Sequence, residues 1–212
     1  MTRARIFPII LAAGPSRGLD FPKAVAKFGR KTAVEIAVGN CAGLEKVTVV
    51  LGSEAGKVRK AVPAGVRVVV NRRWGSGQLS SLLAGLRGVP REAAFLIYPV
   101  DQPLITVGLV RRLVGAFEGE MSKVRKGAAS ATRAKKIVMP RFRGKVGHPI
   151  VCAGELRAEL EGARNAREVV YRDESRILFL EVKTESIWRD FDSAETYREC
   201  LALMGRKRKR KR

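Results

Sequence analysis

The chain has 212 residues, 46% of them hydrophobic, which suits one globular domain or a domain with a small subdomain. Its 42 Lys and Arg against 20 Asp and Glu give a net charge of +22, which favours an anionic partner: a nucleotide, a phosphorylated cofactor or nucleic acid. No apolar run approaches the roughly 20 residues that cross a bilayer, and the apolar start lacks a cleavage site. We therefore expect a cytoplasmic protein with no membrane partner and no signal peptide.

Apolar runs of strand length alternate with segments of helical periodicity along the chain, and repeated β-α units indicate a mostly parallel sheet with helices on both faces. This is a three-layer α/β fold of the Rossmann-like type. The predicted strands are 6–11, 47–51, 66–70, 93–100, 137–139, 149–152 and 177–182. The predicted helices are 32–41, 55–61, 77–86, 107–117, 155–160 and 193–204.

Two basic stretches lie outside this pattern. Residues 119–136 read as a long basic loop, and residues 206–212 are all Lys or Arg without apolar periodicity. We expect one domain over 1–204 and a basic disordered tail over 205–212. With only 6% aromatic residues, the chain lacks the stacking positions of a single-strand binder, so nucleic acid is a possible partner of the tail but not the preferred one.

The three cysteines, Cys41, Cys152 and Cys200, are widely spaced and form no CxxC pair. Their number is odd, and none has a second metal-ligating residue nearby in sequence. We expect buried free thiols.

The first predicted strand ends in Leu11-Ala12-Ala13-Gly14, followed by Ser16, Arg17 and Lys23. Small residues let the backbone approach a ligand and expose amide donors, and a lysine adds positive charge for phosphates. This turn therefore suits a triphosphate, although it matches neither GxGxxG nor GxxxxGK[ST]. The alternative is an ordinary turn between a strand and a helix with surface basic residues.

Carboxylates follow at two places. Asp101 ends a buried strand and precedes a proline, at the sheet edge where α/β proteins bind ligands, and it is suited to a hard cation such as Mg²⁺. Asp190 and Asp192 precede the last helix, where they can bind metal or cap the helix. These two readings remain open at this point.

His148 is the only histidine and lies in Gly147-His148-Pro149. It can serve a ligand or simply pack, and no zinc site can be proposed around it. Trp74, which stands beside glycines, can line a cleft or fill the core.

In chain order these segments resemble the MobA-like NTP transferases, and most closely the molybdenum cofactor cytidylyltransferases. The resemblance is carried by 11–23, 71–77 with 80–81 and 85, 101–104, 140–144 with 147–149, and 190–195. It implies an Mg²⁺-dependent nucleotidyltransferase that uses a nucleoside triphosphate and a phosphorylated acceptor, such as molybdopterin cofactor, and releases pyrophosphate. A cofactor-receiving enzyme is a further implied partner.

The resemblance also implies site residues. Lys23 and Arg17 would contact the phosphates and, with Asp101, form the catalytic set. The doublet Ala12-Ala13 resembles the enzymes that use CTP rather than GTP. The implied nucleotide pocket comprises Leu11, Ala12, Ala13, Gly14, Ser16, Lys23, Asn71, Gly77, Ser80 and Ser81. The implied Mg²⁺ ligands are Asp101, Asp190 and Asp192, and the implied acceptor contacts are Arg141, Arg143, Lys145 and His148.

Three alternatives remain. The chain can transfer a nucleotide to another phosphorylated small molecule, or use GTP. It can bind nucleic acid without catalysis, in which case binding should depend on salt and should survive Asp101→Ala. It can also carry a cofactor to a partner enzyme without chemistry.

Overall fold

A single sheet forms the centre of the computed structural model, which describes residues 4–125 and 134–209. Along the sheet the strands follow the order β10-β7-β9-β6-β1-β4-β5, β8 pairs with β7, and β2 and β3 form a separate hairpin. Only β9 runs antiparallel to its neighbours in that order, so the predicted mostly parallel sheet is confirmed. The strands are β1 (Ile6–Ala12), β2 (Lys27–Phe28), β3 (Lys31–Thr32), β4 (Thr48–Leu51), β5 (Arg67–Val70), β6 (Ala94–Pro99), β7 (Ile137–Phe142), β8 (Lys145–Val146), β9 (Ile150–Cys152) and β10 (Ile177–Glu181).

Helices cover both faces of the sheet and complete the three layers. The helices are α1 (Ala33–Asn40), α2 (Ala55–Arg59), α3 (Gln78–Leu86), α4 (Val107–Arg125), α5 (Leu156–Glu161), α6 (Ala166–Val170) and α7 (Ala194–Lys209). One core cluster joins the sheet to α1, α4 and α7, and a second joins it to α3, α5 and α6. Strand β1 serves both: Ile10 packs into the first cluster, and Ile9 and Leu11 pack into the second. A continuous apolar run is what a strand buried on both faces requires.

Helix α4 is longer than predicted. It continues to Arg125, through the first part of the stretch that was expected to be a loop. The reason is a continued apolar face, because Phe117 is buried and Met121 packs against the same core. The buried Glu120 contacts Lys123 and accepts a hydrogen bond from the backbone N–H of Lys135. Residues 126–133, the centre of that predicted loop, lie outside the described residues.

Helix α7 also extends past its predicted end and reaches Lys209, inside the expected disordered tail. Lys and Arg are good helix formers and are favoured at a helix C-terminus, so their run does not stop the helix. Residues 210–212 lie outside the described residues.

The three cysteines are free and buried, as predicted. Within the described residues, no helix is both long enough and apolar enough to span a membrane.

Candidate active site at the carboxyl ends of the central strands

The turn after β1 lies between β4 and β6, at the point of the sheet where successive connections diverge. The carbonyl of Ala13 accepts a hydrogen bond from the Ser53 N–H (2.9 Å), and a Cβ on Gly52 would lie 2.5 Å from that carbonyl oxygen. Only glycine therefore permits this approach of β4 to the turn. Further along, the Lys23 N–H donates to Ser16 Oγ (2.7 Å), which closes the loop and places the lysine.

Lys23 lies between two carboxylates that are far apart in sequence. Its Nζ is 3.3 Å from Asp101 Oδ2 and also contacts Asp192 Oδ1. The side chains of Lys23 and Asp101 are only 17% and 25% exposed, so this pair is shielded from bulk solvent. The structure thus brings together the three charged residues that the sequence placed at the first turn, after β6 and before α7.

Asp190 belongs to the same group. Burial, and then the negative charge of Asp101, raise the pKa of Asp190 above its ordinary value of 3.8, while Lys23 opposes the shift. Helix α7 is capped by Ser193, whose Oγ accepts from the Thr196 N–H (3.2 Å), so neither aspartate side chain serves as the cap. Of the two readings of this aspartate pair, the structure therefore excludes capping.

The raised pKa of Asp190 predicts a pH-dependent gain in stability for Asp190→Asn. A carboxyl whose pKa is higher in the folded state binds its proton more tightly there, so stability falls as the pH rises from the unfolded pKa through the folded one. Removing the carboxylate should therefore raise the free energy of unfolding at pH 7, with a smaller gain near pH 3.5, as measured by urea denaturation. Asp173 provides the control, because hydrogen bonds from Ser175 lower its pKa. Asp173→Asn should change stability in the opposite sense, and a loss of stability at pH 7 in Asp190→Asn would contradict the prediction.

Gly18 holds the first turn against the segment before α7. Its φ is +83°, and a Cβ there would lie 2.8 Å from the carbonyl oxygen of Asp192. Gly43 has almost the same φ, +85°, but a Cβ on it would meet nothing within 4 Å. The two glycines form a matched pair that separates backbone strain from contact with Asp192.

We expect Gly43→Ala to lower the free energy of unfolding by about 1 kcal/mol through the left-handed backbone alone. Gly18→Ala should lower it further and also reduce activity, because it displaces Asp192 from Lys23. Thermal unfolding and a transfer assay check both effects. Equal losses of stability and activity in the two variants would contradict the assigned role of Gly18.

Asn71 organises a second turn beside the first. Its Nδ2 donates to Ser80 Oγ (2.9 Å) and Ser81 Oγ (3.0 Å), and its Oδ1 accepts from the Arg73 N–H (3.0 Å). These bonds join the end of β5 to the start of α3. Of the two positions that the sequence leaves open for Trp74, a cleft or the core, the structure shows the first: Trp74 lines a cleft in this turn.

Two clefts open at this edge of the sheet. The turn cleft, about 440 Å³, lies against the first turn, and its wall includes Arg17 and Trp74. The histidine cleft, about 570 Å³, lies on the other side of β6, and its wall includes His148 and Asp190. The walls of both clefts share Leu11, Gln78, Pro99 and Asp101. Asp101 thus faces two adjoining spaces, each large enough for a small molecule.

The predicted nucleotide residues divide around the turn cleft. Leu11, Ala13, Gly14, Arg17, Gly77 and Ser81 line it. The other predicted residues, Ala12, Ser16, Lys23, Asn71 and Ser80, do not line it. Asn71 and Ser80 support its wall through hydrogen bonds to Ser81 and to the Gly77 carbonyl, and Ser16 accepts from the Lys23 N–H.

His148 lines the histidine cleft, and its backbone N–H donates to the Ile187 carbonyl (2.8 Å). The peptide bond to Pro149 is cis. Burial lowers the pKa of His148 to about 4, so the ring is neutral at physiological pH. It can therefore offer hydrogen bonds to a ligand but no charge.

The basic residues expected beside His148 do not line this cleft. Arg141 donates from Nε to Glu181 and lies over the Phe179 ring at 4.5 Å, since β10 places Glu181 in register with it. Arg143 lies over Phe142, and Lys145 Nζ is 5.9 Å from the centre of the Trp188 ring. The cation that does line the cleft, among the described residues, is Arg167 on α6.

No role was predicted from the sequence for five polar or aromatic residues of these walls: Gln78, Gln102, Arg167, Tyr171 and Trp188. Gln102 directly follows Asp101 and falls within the segment 101–104 that carries the family resemblance, and these were the available signals. Arg167 lies on the short helix α6 and Tyr171 directly follows it, in a segment whose sequence carries no motif. Their position depends on where α6 packs against the sheet.

Metal binding has partial support from geometry. Asp101 and Asp190 line the same cleft, and after burial the negative charge of Asp101 is the next cause that raises the pKa of Asp190, a situation that a bound cation relieves. Among the described residues, however, no group of three or more Asp, Glu, His and Cys side chains forms a metal cage. A cation here would need phosphate oxygens as further ligands, which is usual for Mg²⁺.

Comparison with known proteins identifies the family. The MobA-like NTP transferase domain model matches residues 8–178, which include the first turn, Asp101 and the segment around His148. The chain belongs to the MobA-like NTP transferase family. The match confirms the resemblance to the MobA-like NTP transferases that its motifs indicated.

Relatives of this MobA-like transferase carry different names. Nicotine blue oxidoreductase of Paenarthrobacter nicotinovorans is 31% identical over 198 residues, covering 88% of this chain and 92% of the relative. The crystal structure of Rv0371c from Mycobacterium tuberculosis is 25% identical and covers 95% of this chain and all of the other, with a TM-score of 0.77. A nucleotidyl transferase from Methanothermobacter is 21% identical, with coverage of 96% and 99% and a TM-score of 0.77.

Proposed function

We propose that this MobA-like transferase moves a nucleotide, CMP by preference, from a nucleoside triphosphate to a phosphorylated acceptor, and that the acceptor is molybdopterin cofactor. The observation that carries the proposal is the pair of clefts that meet at Asp101. A transfer between two substrates needs two adjoining spaces and a charged centre at their junction. The site has both.

The nucleotide belongs in the turn cleft. Arg17 lines this cleft, and Lys23 pairs with Asp101, which is part of the cleft wall, so two cations are available for the phosphates. CTP is preferred over GTP because the turn carries Ala12-Ala13, as in the cytidylyltransferases that the chain resembles. Trp74 in the same wall offers a flat apolar surface for a base.

The chemistry needs no covalent enzyme intermediate. A phosphate oxygen of the acceptor attacks the α-phosphorus, the bond from that phosphorus to the oxygen of the β-phosphate breaks, and pyrophosphate leaves with both bonding electrons. The acceptor phosphate is already ionised at neutral pH and needs no general base. Lys23 and Arg17 offset the negative charge that builds up on the leaving pyrophosphate, and positioning of the two substrates supplies the rest.

Asp101 and Asp190, with Asp192 once Lys23 has turned to the phosphates, are the residues that would hold Mg²⁺. When bound, the ion would supply Lewis-acid stabilisation of phosphate oxygens. The chain's own part is to keep these carboxylates together, with Asp101 facing both clefts.

The acceptor belongs in the histidine cleft. Its wall combines the aromatic rings of Tyr171 and Trp188 with apolar side chains, which suits a flat ring system. Arg167 stacks over Tyr171 at 5.4 Å and forms no ion pair with a described carboxylate, so it is available to an anionic group of the acceptor. In this proposal Arg167 takes the charge-binding role first expected of Arg141, Arg143 and Lys145.

Pyrophosphate release tests the proposed function. Purified protein is incubated with Mg²⁺, each of the four ribonucleoside triphosphates and molybdopterin cofactor, with no acceptor as the control. We expect release only when acceptor is present, and fastest with CTP. No release above the control with any triphosphate would overturn the proposed acceptor, and faster release with GTP would overturn the base preference.

A second candidate function is an oxidoreductase, favoured by the 31% identity to nicotine blue oxidoreductase and by the aromatic wall of the histidine cleft. It leaves the charged group of Lys23, Asp101 and Asp192 without a role, which is why transfer is preferred. The protein is incubated with reduced nicotinamide adenine dinucleotide and nicotine blue, and the absorbance of the reduced nicotinamide is monitored. Its loss distinguishes the oxidoreductase from the transferase. Oxidation of the reduced nicotinamide at a rate that Asp101→Asn leaves unchanged would favour this second function.

A further inference from the structure

Gln102 stands out among the residues that line the histidine cleft. It follows Asp101 directly, and its own carbonyl accepts a hydrogen bond from the Ile105 N–H (3.3 Å), which holds its backbone in place. The residue is only 6% exposed, yet its Oε1 is buried and has no hydrogen-bond donor among the described residues. A buried amide oxygen without a donor costs roughly 1–3 kcal/mol, so such atoms are rare and require an explanation.

The residues around Gln102 do not supply the missing hydrogen-bond donor. The neutral ring of His148 lines the same cleft but does not donate to Gln102, and the carboxylates Asp101 and Asp190 beside it are acceptors. The last torsion of a glutamine side chain is broad, so the amide can turn toward the cleft at little cost. A donor on a bound molecule would then satisfy the oxygen that the protein leaves without a partner.

We propose that Gln102 is a specificity-determining residue of the histidine cleft, and that its Oε1 accepts a hydrogen bond from an N–H on the ring system of the acceptor. The proposal rests on the proposed function in that it places the acceptor in this cleft. A site built to bond a substrate N–H rejects an analogue without it, because the buried oxygen is then unpaired. Gln102 thereby selects a flat heterocycle that carries a ring N–H, and it acts on binding rather than on phosphorus chemistry.

The kinetic test compares wild type with Gln102→Met, which keeps the size of the side chain and removes the amide, and with Gln102→Glu, which keeps an acceptor oxygen. With molybdopterin cofactor as acceptor, we expect Gln102→Met to raise the KM for the acceptor about tenfold, which corresponds to about 1.4 kcal/mol, while the KM for CTP stays unchanged. Gln102→Glu should recover part of the loss. An unchanged acceptor KM in Gln102→Met, in an active enzyme, would overturn the role of Gln102 and leave the proposed function intact.

Thermal unfolding separates recognition from a structural role. If Gln102 only held the fold together, Gln102→Met would lower the melting temperature. We expect the melting temperature to stay the same or to rise, because the substitution removes a buried oxygen that has no partner. A clear fall would overturn the proposal.

If the protein does not turn over molybdopterin cofactor, that result contradicts the proposed function but does not test the role of Gln102. A binding measurement then tests Gln102. The probes are pterin and pterin methylated on its ring N–H, and binding is followed by the fluorescence of Trp188 in a Trp74→Phe background. In this background the protein that keeps Gln102, here termed wild type, should bind pterin about tenfold more tightly than the methylated compound, and Gln102→Met should bind the two equally. Equal affinity in wild type, or no binding of either probe, would overturn the proposal.

Discussion

Replacement of Lys23 by Met should lower the rate of pyrophosphate release by about 10²–10³-fold, the usual effect of removing one charge-stabilising donor from a transfer site. The ammonium group of Lys23 lies between Asp101 and Asp192, where it balances their charge until a triphosphate arrives. Without Lys23, the charge of the two carboxylates is no longer balanced, and the negative charge that develops on pyrophosphate loses this stabilising cation. The measurement is steady-state release of pyrophosphate with saturating CTP and acceptor.

Lys27→Met provides the matched control for Lys23→Met. Lys27 is exposed on the short strand β2, four positions further along the chain, and its charge acts on Glu35, outside the candidate site. Its replacement should leave the rate within about twofold of wild type, as expected for a surface residue away from the site. Lys23→Arg should recover little activity, because a planar guanidinium does not reproduce the contacts of a compact ammonium. A Lys23→Met variant as active as Lys27→Met would contradict the assigned role.

Replacement of Asp101 by Asn should have a larger effect, about 10³-fold or more, because this carboxylate is the charged group that faces both clefts. The amide has nearly the same size, so the fold should persist. Loss of the negative charge should also lower the pKa of Asp190, because Asp101 is one of the causes that raise it. Release of pyrophosphate measures the first effect, and titration of Asp190 by carboxyl-selective NMR measures the second.

The control for Asp101→Asn is Glu195→Gln, an exposed carboxylate in the first turn of α7. It should leave the transfer rate unchanged.

Binding of nucleic acid gives a further comparison: salt-sensitive binding that persists in Asp101→Asn, combined with no transfer by wild type, would favour the nucleic-acid alternative over the enzyme.

Much of the fold could be predicted because it depends on local pattern. The buried run of β1 and the alternation of strands and helices determine a parallel sheet, since each apolar face must be covered by the next element along the chain. Predictions failed where a pattern was read as ending too early. The basic residues in α4 and α7 do not end these helices, and one apolar face of α4 continues through Phe117 and Met121.

The candidate site was predictable to the extent that its residues follow strands or precede a helix. Lys23, Asp101 and Asp192 were singled out separately, and they lie in contact because β1 and β6 are neighbours in the sheet and α7 returns beside them. The residues that line the histidine cleft were harder to predict from the sequence. Arg141 is engaged by Glu181 on β10, and that pairing follows from strand register, which no local motif encodes.

The sequence by itself determined the family, the three-layer fold and the charged residues at the ends of the central strands, because these depend on residue type and periodicity. The tertiary structure alone decided that Asp101 faces two clefts, that Arg167 rather than Arg141 lines the second, and that Gln102 keeps a buried oxygen without a partner. These features arise between elements that are distant in the chain. Their positions are decided by how the helices pack on the sheet, because packing, not local sequence, determines which side chains share a space.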